Sequence, residues 1–231
     1  MKRSLVFLLF LTLSHAWGSP VGTSQAAQQD VAGQDVTGQD ATGQDFAALS
    51  VRPDGPEELD LATGITTLPE GGEILYRAQG VRLVGGYIRF LEGDFIEVQE
   101  ATVTGEFGVL EAPELRFEVV PQRLLARSAT FVSEAVELSA DTAELELTQN
   151  IAVLSGNVTS TDPELTGARA LVDLTGQQAL LIGPYAFSDG PVALRGDEGK
   201  LLALRWDASG ALSAETQIPP VLKMRFADLL P

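Results

Sequence analysis

Cysteine is absent from the 231 residues, and histidine occurs once, as His15. The first absence removes thiol nucleophiles, thiolate metal sites and disulfides. A domain of this size buries enough apolar surface to do without cross-links, even in an exported protein. The second absence is nearly as complete, because His15 lies in a segment expected to be removed. The mature chain then has no imidazole, which excludes Ser-His-Asp and Cys-His catalysis and the usual zinc sites. Basic residues are scarce, 15 against 32 acids, and the formal net charge is −17. Phosphate backbones would be repelled, so nucleic acid is excluded as a partner. Adhesion to an anionic membrane surface is disfavoured for the same reason, and the acidity reads as solubility. Aromatic residues are few, Phe 10, Tyr 3 and Trp 2, and Trp17 stands at the leader junction. Sugar-stacking platforms are therefore poorly supplied. No cofactor and no metal are expected.

The apolar run Ser4 to Leu13, "SLVFLLFLTL", is too short to span a bilayer as a helix. It follows Lys2 and Arg3 and precedes Ser14-His15-Ala16, so residues 1–16 read as a secretory signal peptide. Cleavage is expected after Ala16, with Gly18 as second choice and an uncleaved anchor as the alternative. The mature protein is then expected to be soluble and exported. Residues 17–56 read as a disordered linker. Its centre repeats "VAGQD", "VTGQD", "ATGQD" from Val31 to Asp45, with too little apolar area to offset chain entropy. The repeated Asp lacks the dense oxygen spacing of calcium loops, so the repeat reads as a spacer.

From Glu57 the texture changes to short segments rich in Val, Leu, Ile, Thr and Phe, separated by Gly, Asn, Asp and Pro. Strands at intervals of about ten residues predict an all-β sandwich, barrel or roll over 57–218. One signature recurs: "LDLATGITTL" (59–68), "LELTQNIAVL" (145–154), "VDLTGQQALL" (172–181) and the weaker "RWDASGALS" (205–213). Each predicts a hairpin, with Gly64, Asn150, Gly176 and Gly210 at turn positions suited to positive φ. The acid between two aliphatics is expected to face water, because side chains alternate along a strand. The copies are irregularly spaced, which argues against a strict solenoid. About five strands are expected between the first two copies.

Several strands are apolar on both faces, among them "IAVLSGNV", "ALVDL" and "ALLIG". Such a strand is sandwiched between layers or lines an apolar cavity. With no helix expected to cover a second face, part of that area should close on itself or on a ligand. Residues 219–231 form a C-terminal extension after Pro219-Pro220. "VLKMRFADLL" (221–230) fits either a short helix with Val221, Leu222, Arg225, Phe226, Leu229 and Leu230 on one face, or a last strand.

The stretch from Ala140 to Gly183 resembles the OstA-like domain, the repeat unit of periplasmic lipopolysaccharide-transport proteins of the LptA and LptC type. The residues that carry the resemblance are Ala140-Asp141, Gly156-Asn157-Val158, Leu165-Thr166-Gly167, Ala170, Val172 and Leu174. The match covers about 45 residues, with a weaker one from Leu59 to Glu134. It implies an antiparallel β-jellyroll, an open V of two twisted sheets whose apolar interior holds the acyl chains of an envelope glycolipid. It also implies partners: other OstA-like domains stacked through edge strands, with a second copy of this chain as a further candidate. The high negative charge adds that phosphate-bearing head groups stay outside, or that the cargo is less anionic.

The inward aliphatics then become the candidate lipid-binding residues: Phe131, Val136, Leu138, Leu145, Leu147, Val153, Leu154, Val158, Val172, Leu174, Leu180 and Ile182. Asp141, Gly156, Asn157, Leu165, Thr166 and Gly167 are candidates for backbone geometry. Two other readings remain open. One is a structural or adhesive β-sandwich with a dry core. The other is a glycosidase with paired carboxylates, drawn from Asp94, Glu97, Asp141, Glu144 and Glu146. The last three read more simply as a wet strand face, so a non-catalytic role is expected.

Overall fold

A computed structural model describes residues 49–133, 136–207 and 211–230. The chain divides between Gly43 and Gln44, and all described residues belong to the second unit. The leader at 1–16, the GQD repeat and Gly210 lie outside the described residues. Sixteen strands follow one another: β1 (Leu49–Pro53), β2 (Glu58–Leu59), β3 (Thr66–Leu68), β4 (Gly72–Tyr76), β5 (Val81–Gly85), β6 (Tyr87–Leu91), β7 (Phe95–Gly105), β8 (Gly108–Glu118), β9 (Arg123–Val132), β10 (Glu137–Glu146), β11 (Ile151–Thr161), β12 (Glu164–Asp173), β13 (Gln178–Asp189), β14 (Val192–Gly196), β15 (Leu201–Trp206) and β16 (Leu212–Glu215). One short helix, α1 (Pro220–Arg225), follows them. β1 falls inside the stretch 17–56 that the composition reads as spacer.

All strand pairs are antiparallel and form one open sheet. The four sequence hairpins are β2–β3, β10–β11, β12–β13 and β15–β16. Between the first two copies lie six strands, β4 to β9, one more than the five or so expected. At the turns, Gly64 and Asn150 have positive φ as expected, whereas in the third hairpin Gln177, not Gly176, does so.

The long strands share a burial rhythm that explains the shape. Inward residues step by two, then three, then two: Ile96, Val98, Ala101, Val103 in β7; Leu110, Ala112, Leu115, Phe117 in β8. Leu124, Ala126, Ala129, Phe131 in β9 and Leu138, Ala140, Ala143, Leu145 in β10 repeat it. Side chains alternate with period two, so a step of three changes the phase in mid-strand. In β7 and β9 a residue in the left-handed region supplies the extra step, Glu100 and Ser128. In β11 the step is four, from Leu154 to Val158, through the left-handed pair Gly156 and Asn157. In β8 the break falls beside Pro113, which has no N–H to give to a ladder. These breaks line up across neighbouring strands and form a fold line.

Both halves of every long strand contribute to one apolar cluster. A single sheet can bury one whole face in this way only by folding over on itself. The result is a V with two arms. Arm A continues from β7 into β6, β3 and β2, and from β13 into β15 and β16. Arm B continues into β5, β4 and β1, and into β14. Near the fold line the inward residues include Ala101, Ala112, Ala126, Ala129, Ala140, Ala143 and Ala170. Towards the mouth of the V the gap is filled by Phe117, Phe131, Leu110, Leu124, Leu138 and Leu145.

The strand spacing departs from the expected ten residues. Ile96, Leu110, Leu124, Leu138 and Ala152 recur every 14 residues, as do Val98, Ala112, Ala126, Ala140 and Leu154. The hairpin copies are irregular, but the strands between them are a regular repeat.

The expectation that no helix covers a second face is corrected by α1. On the outer face of arm A, Ile151, Leu171, Leu180, Ile182 and Ala203 form a second cluster with Ile218, Leu222 and Phe226. The double-sided apolar strands are therefore layered, with the core of the V on one face and the C-terminal segment on the other. Of the residues expected on one helical face, Leu222 and Phe226 are buried, whereas Val221 is exposed. No helix among the described residues is long and apolar enough to cross a membrane.

Candidate functional site

Among the described residues, the inward surface of the V holds the larger of two apolar clusters. Its outer row on arm A runs in register across seven strands: Ile96, Phe117, Leu124, Leu145, Ala152, Val172 and Ala179. The facing row on arm B contains Val103, Leu110, Phe131 and Leu138. Phe131, Val136, Leu138, Leu145, Leu147, Leu154, Val158 and Val172 all lie in this shared cluster, and Leu174 packs against its edge. Val153, Leu180 and Ile182 do not join them. They belong to the cluster under α1, because odd and even positions of a strand face opposite ways.

The inward residues are closely packed. Leu110, Phe117, Leu124 and Leu145 are wholly buried. Contact between the arms includes the rings of Tyr76 and Phe117, 5.4 Å apart between centroids. Across the mouth, Gln79 Nε2 donates to Gln122 Oε1 at 3.0 Å in an exposed hydrogen bond. At the far end Tyr185 Oη donates to the Leu201 carbonyl at 3.4 Å. Burial pushes the phenols of Tyr76 and Tyr185 above their ordinary pKa. Among the described residues this surface offers mainly apolar contact.

Each end of the V presents two unpaired strands. Among the described residues, β2 and β1 close one end, and β16 and β14 the other, each paired on one side only. Leu59 on β2 is 57% exposed and Val192 on β14 46%. Such edges present free N–H and C=O groups to any incoming strand.

Asp141, Gly156, Asn157 and Gly167 lie at the fold line, and Leu165 and Thr166 lie further towards the mouth. Asn157 Nδ2 donates to Asp141 Oδ2 at 2.8 Å across β10 and β11. A side chain at position 156 would meet that carboxylate at 2.5 Å, and φ there is 74°. Glycine at 156 is thus required both for room and for backbone conformation. Gly167 lies at a register shift between β12 and β13. Leu165 faces the interior, buried, while Thr166 is exposed.

The remaining acids are dispersed rather than convergent. Glu97 pairs with Arg116 at 2.5 Å and Arg89 at 3.5 Å, and Glu144 with Arg123 at 3.0 Å. Asp94 sits in the β6–β7 turn, where its carbonyl accepts from Val119 N–H. Glu146 accepts from Gln149. Arg116 also lies over the Phe95 ring, 4.4 Å from its centroid. These ladders wall an outer-face trough of about 670 Å³ floored in part by Leu125 and Val153.

Asp173 departs from the expectation that hairpin acids face water. It is 5% exposed. Its Oδ1 accepts from the Thr175 N–H and hydroxyl and from the Gly176 N–H, at 3.0–3.2 Å, and its Oδ2 from Gln178 Nε2 at 3.1 Å. Arg225 of α1 lies 3.4 Å away and also donates to the Gln149 and Asn150 carbonyls. Burial alone would raise this carboxyl's pKa, but hydrogen bonds from Gln178, Arg225 and Thr175 outweigh it and hold the pKa low. Asp173 and Arg225 therefore latch the C-terminal segment to the sheet. The run "DLTG" in front of a glutamine signals an Asx-type turn, whereas the distant Arg225 leaves no local signal.

No family model matches the chain, and no curated protein sequence matches it. Among solved structures it is similar to LptH of Pseudomonas aeruginosa, the LptA-homologous periplasmic component of the lipopolysaccharide transport device. That match has 13% identity and a TM-score of 0.24, and covers 74% of this chain and 95% of that chain. The chain's own geometry is an all-antiparallel V with an apolar interior.

Proposed function

We propose that this chain is a non-catalytic, exported lipid-binding module that holds the acyl chains of a lipopolysaccharide-like envelope glycolipid between its two arms. Like domains, joined edge to edge through the unpaired strands, would continue the apolar path. The observation that carries this reading is the interior itself: among the described residues, an apolar surface that runs along the whole sheet, is interrupted at Ser160, and is bounded at each end by edge strands. The arms meet through apolar side chains and the exposed Gln79–Gln122 contact. An acyl chain entering the mouth exchanges side-chain contact for chain contact, so the apolar term, roughly 25 cal/mol per Å², is largely conserved as the arms part. The stretch Ala140–Gly183, with its OstA-like motif, supports the same reading.

A second reading has its own observation. The inward residues are already closely packed, which suits a structural or adhesive sandwich with a dry core. Mass spectrometry of lipid extracted from natively purified, exported protein separates the two. The lipid reading expects a bound glycolipid near one per chain. Protein free of lipid supports the dry sandwich.

A further inference from the structure

Ser160 is the exception within the interior. The row nearest the mouth on arm B passes through Val103, Leu110, Phe131 and Leu138, then Ser160, Leu165 and Phe187. The Ser139–Thr159 pair sets Ser160 beside Leu138. Fourteen residues after Val103, Phe117, Phe131 and Leu145 in turn comes Thr159, and the extra residue of the Gly156-Asn157 step in β11 moves the inward place to Ser160. Ser160 is 8% exposed, and its Oγ has no hydrogen-bond partner among the described residues. A buried hydroxyl without a partner costs stability, and native structures rarely leave one unexplained. Its strand neighbours Thr159 and Thr161 face outward and are exposed, so the strand has wet positions that Ser160 does not use.

We infer that Ser160 is a polar subsite within the acyl-binding interior, and that it hydrogen-bonds an oxygen carried by the acyl chain close to its head group. The inference rests on the lipid reading above and specifies the ligand further. The position follows from the strand. Ser160 is the last inward residue of β11, one residue before the turn that forms the rim. A chain lying between the arms with its head group outside would bring its first few carbons to this level. A hydroxyl or carbonyl oxygen there would meet Ser160 Oγ, while the rest of the chain would meet only aliphatic and aromatic carbon.

The test is calorimetric titration of the full chain with β-hydroxypalmitate and with palmitate. Wild type should bind the hydroxylated acid about fivefold more tightly, the effect of one neutral hydrogen bond. Ser160→Ala should abolish that preference and keep the affinity for palmitate, while Ser160→Thr should retain the preference. Without ligand, Ser160→Ala should melt about 3 °C higher, because an unpartnered hydroxyl leaves the interior. Palmitate binding with no preference, or a preference that survives Ser160→Ala, would overturn the subsite and leave the lipid reading standing. A lower melting temperature for the alanine variant would overturn it as well. If neither acid binds wild type, the subsite and the lipid reading fall together.

Discussion

Two apolar surfaces lie back to back on arm A, and they are held in different ways. The inner one faces the other arm through interlocked side chains from strands that also pair along their length. The outer one is covered by six residues of α1 and the turn after it, pinned by Arg225 to Asp173 and by Arg169 to the Leu229 carbonyl at 3.1 Å. Loss of the inner contact dismantles the sheet. Loss of the outer contact frees a short segment and leaves the sheet paired. Apolar area alone does not distinguish core from cover, but the connectivity of the backbone behind it does.

Three substitutions sharpen that contrast. Phe131→Ala, in the interior, should cost about 3–5 kcal/mol and lower the denaturation midpoint of the whole domain. Phe226→Ala removes an equally buried ring from the C-terminal segment, yet its cost is capped by the docking free energy of that segment. It should reach about 2 kcal/mol and appear as faster proteolysis near Lys223 and Arg225, with the sheet transition little changed. An equal global loss for both variants would erase the distinction between core and cover.

Asp173→Asn should cost about 1–2 kcal/mol at neutral pH by weakening the latch. The folded carboxyl titrates below its unfolded counterpart. Its contribution is therefore complete above the unfolded pKa and is lost as pH falls through the folded value. Wild type and variant should converge in acid denaturation profiles. A gap that persists at low pH would mean the carboxylate charge is not what stabilises the contact.

Much of this was legible in the residues. The hairpins at 59–68, 145–154, 172–181 and 205–213 are set by local turn chemistry, and Gly156-Asn157 announces a backbone departure because both tolerate positive φ. The double-sided apolar strands were legible too, but not what covers them. Val153, Leu180 and Ile182 alternate in the same way as their inward neighbours, and only the docking of a helix of six residues, too short for a periodic signal, settles which face is which. The fold line was also readable, as the two-three-two spacing repeated every 14 residues from Ile96 to Leu145. Alternation over short windows hides it, because each half-strand looks regular alone. The burial of Asp173 depends on Arg225, 52 residues away, which no local pattern reveals.

The central claim is that acyl chains lie between the arms. Its most direct measurement is photo-crosslinking in envelope preparations with a photoreactive residue at Leu147, in the interior cluster, and at Leu125, on the outer trough. A glycolipid adduct at position 147 and none at 125 is the expected result. No adduct at 147, or equal adducts at both positions, would contradict it.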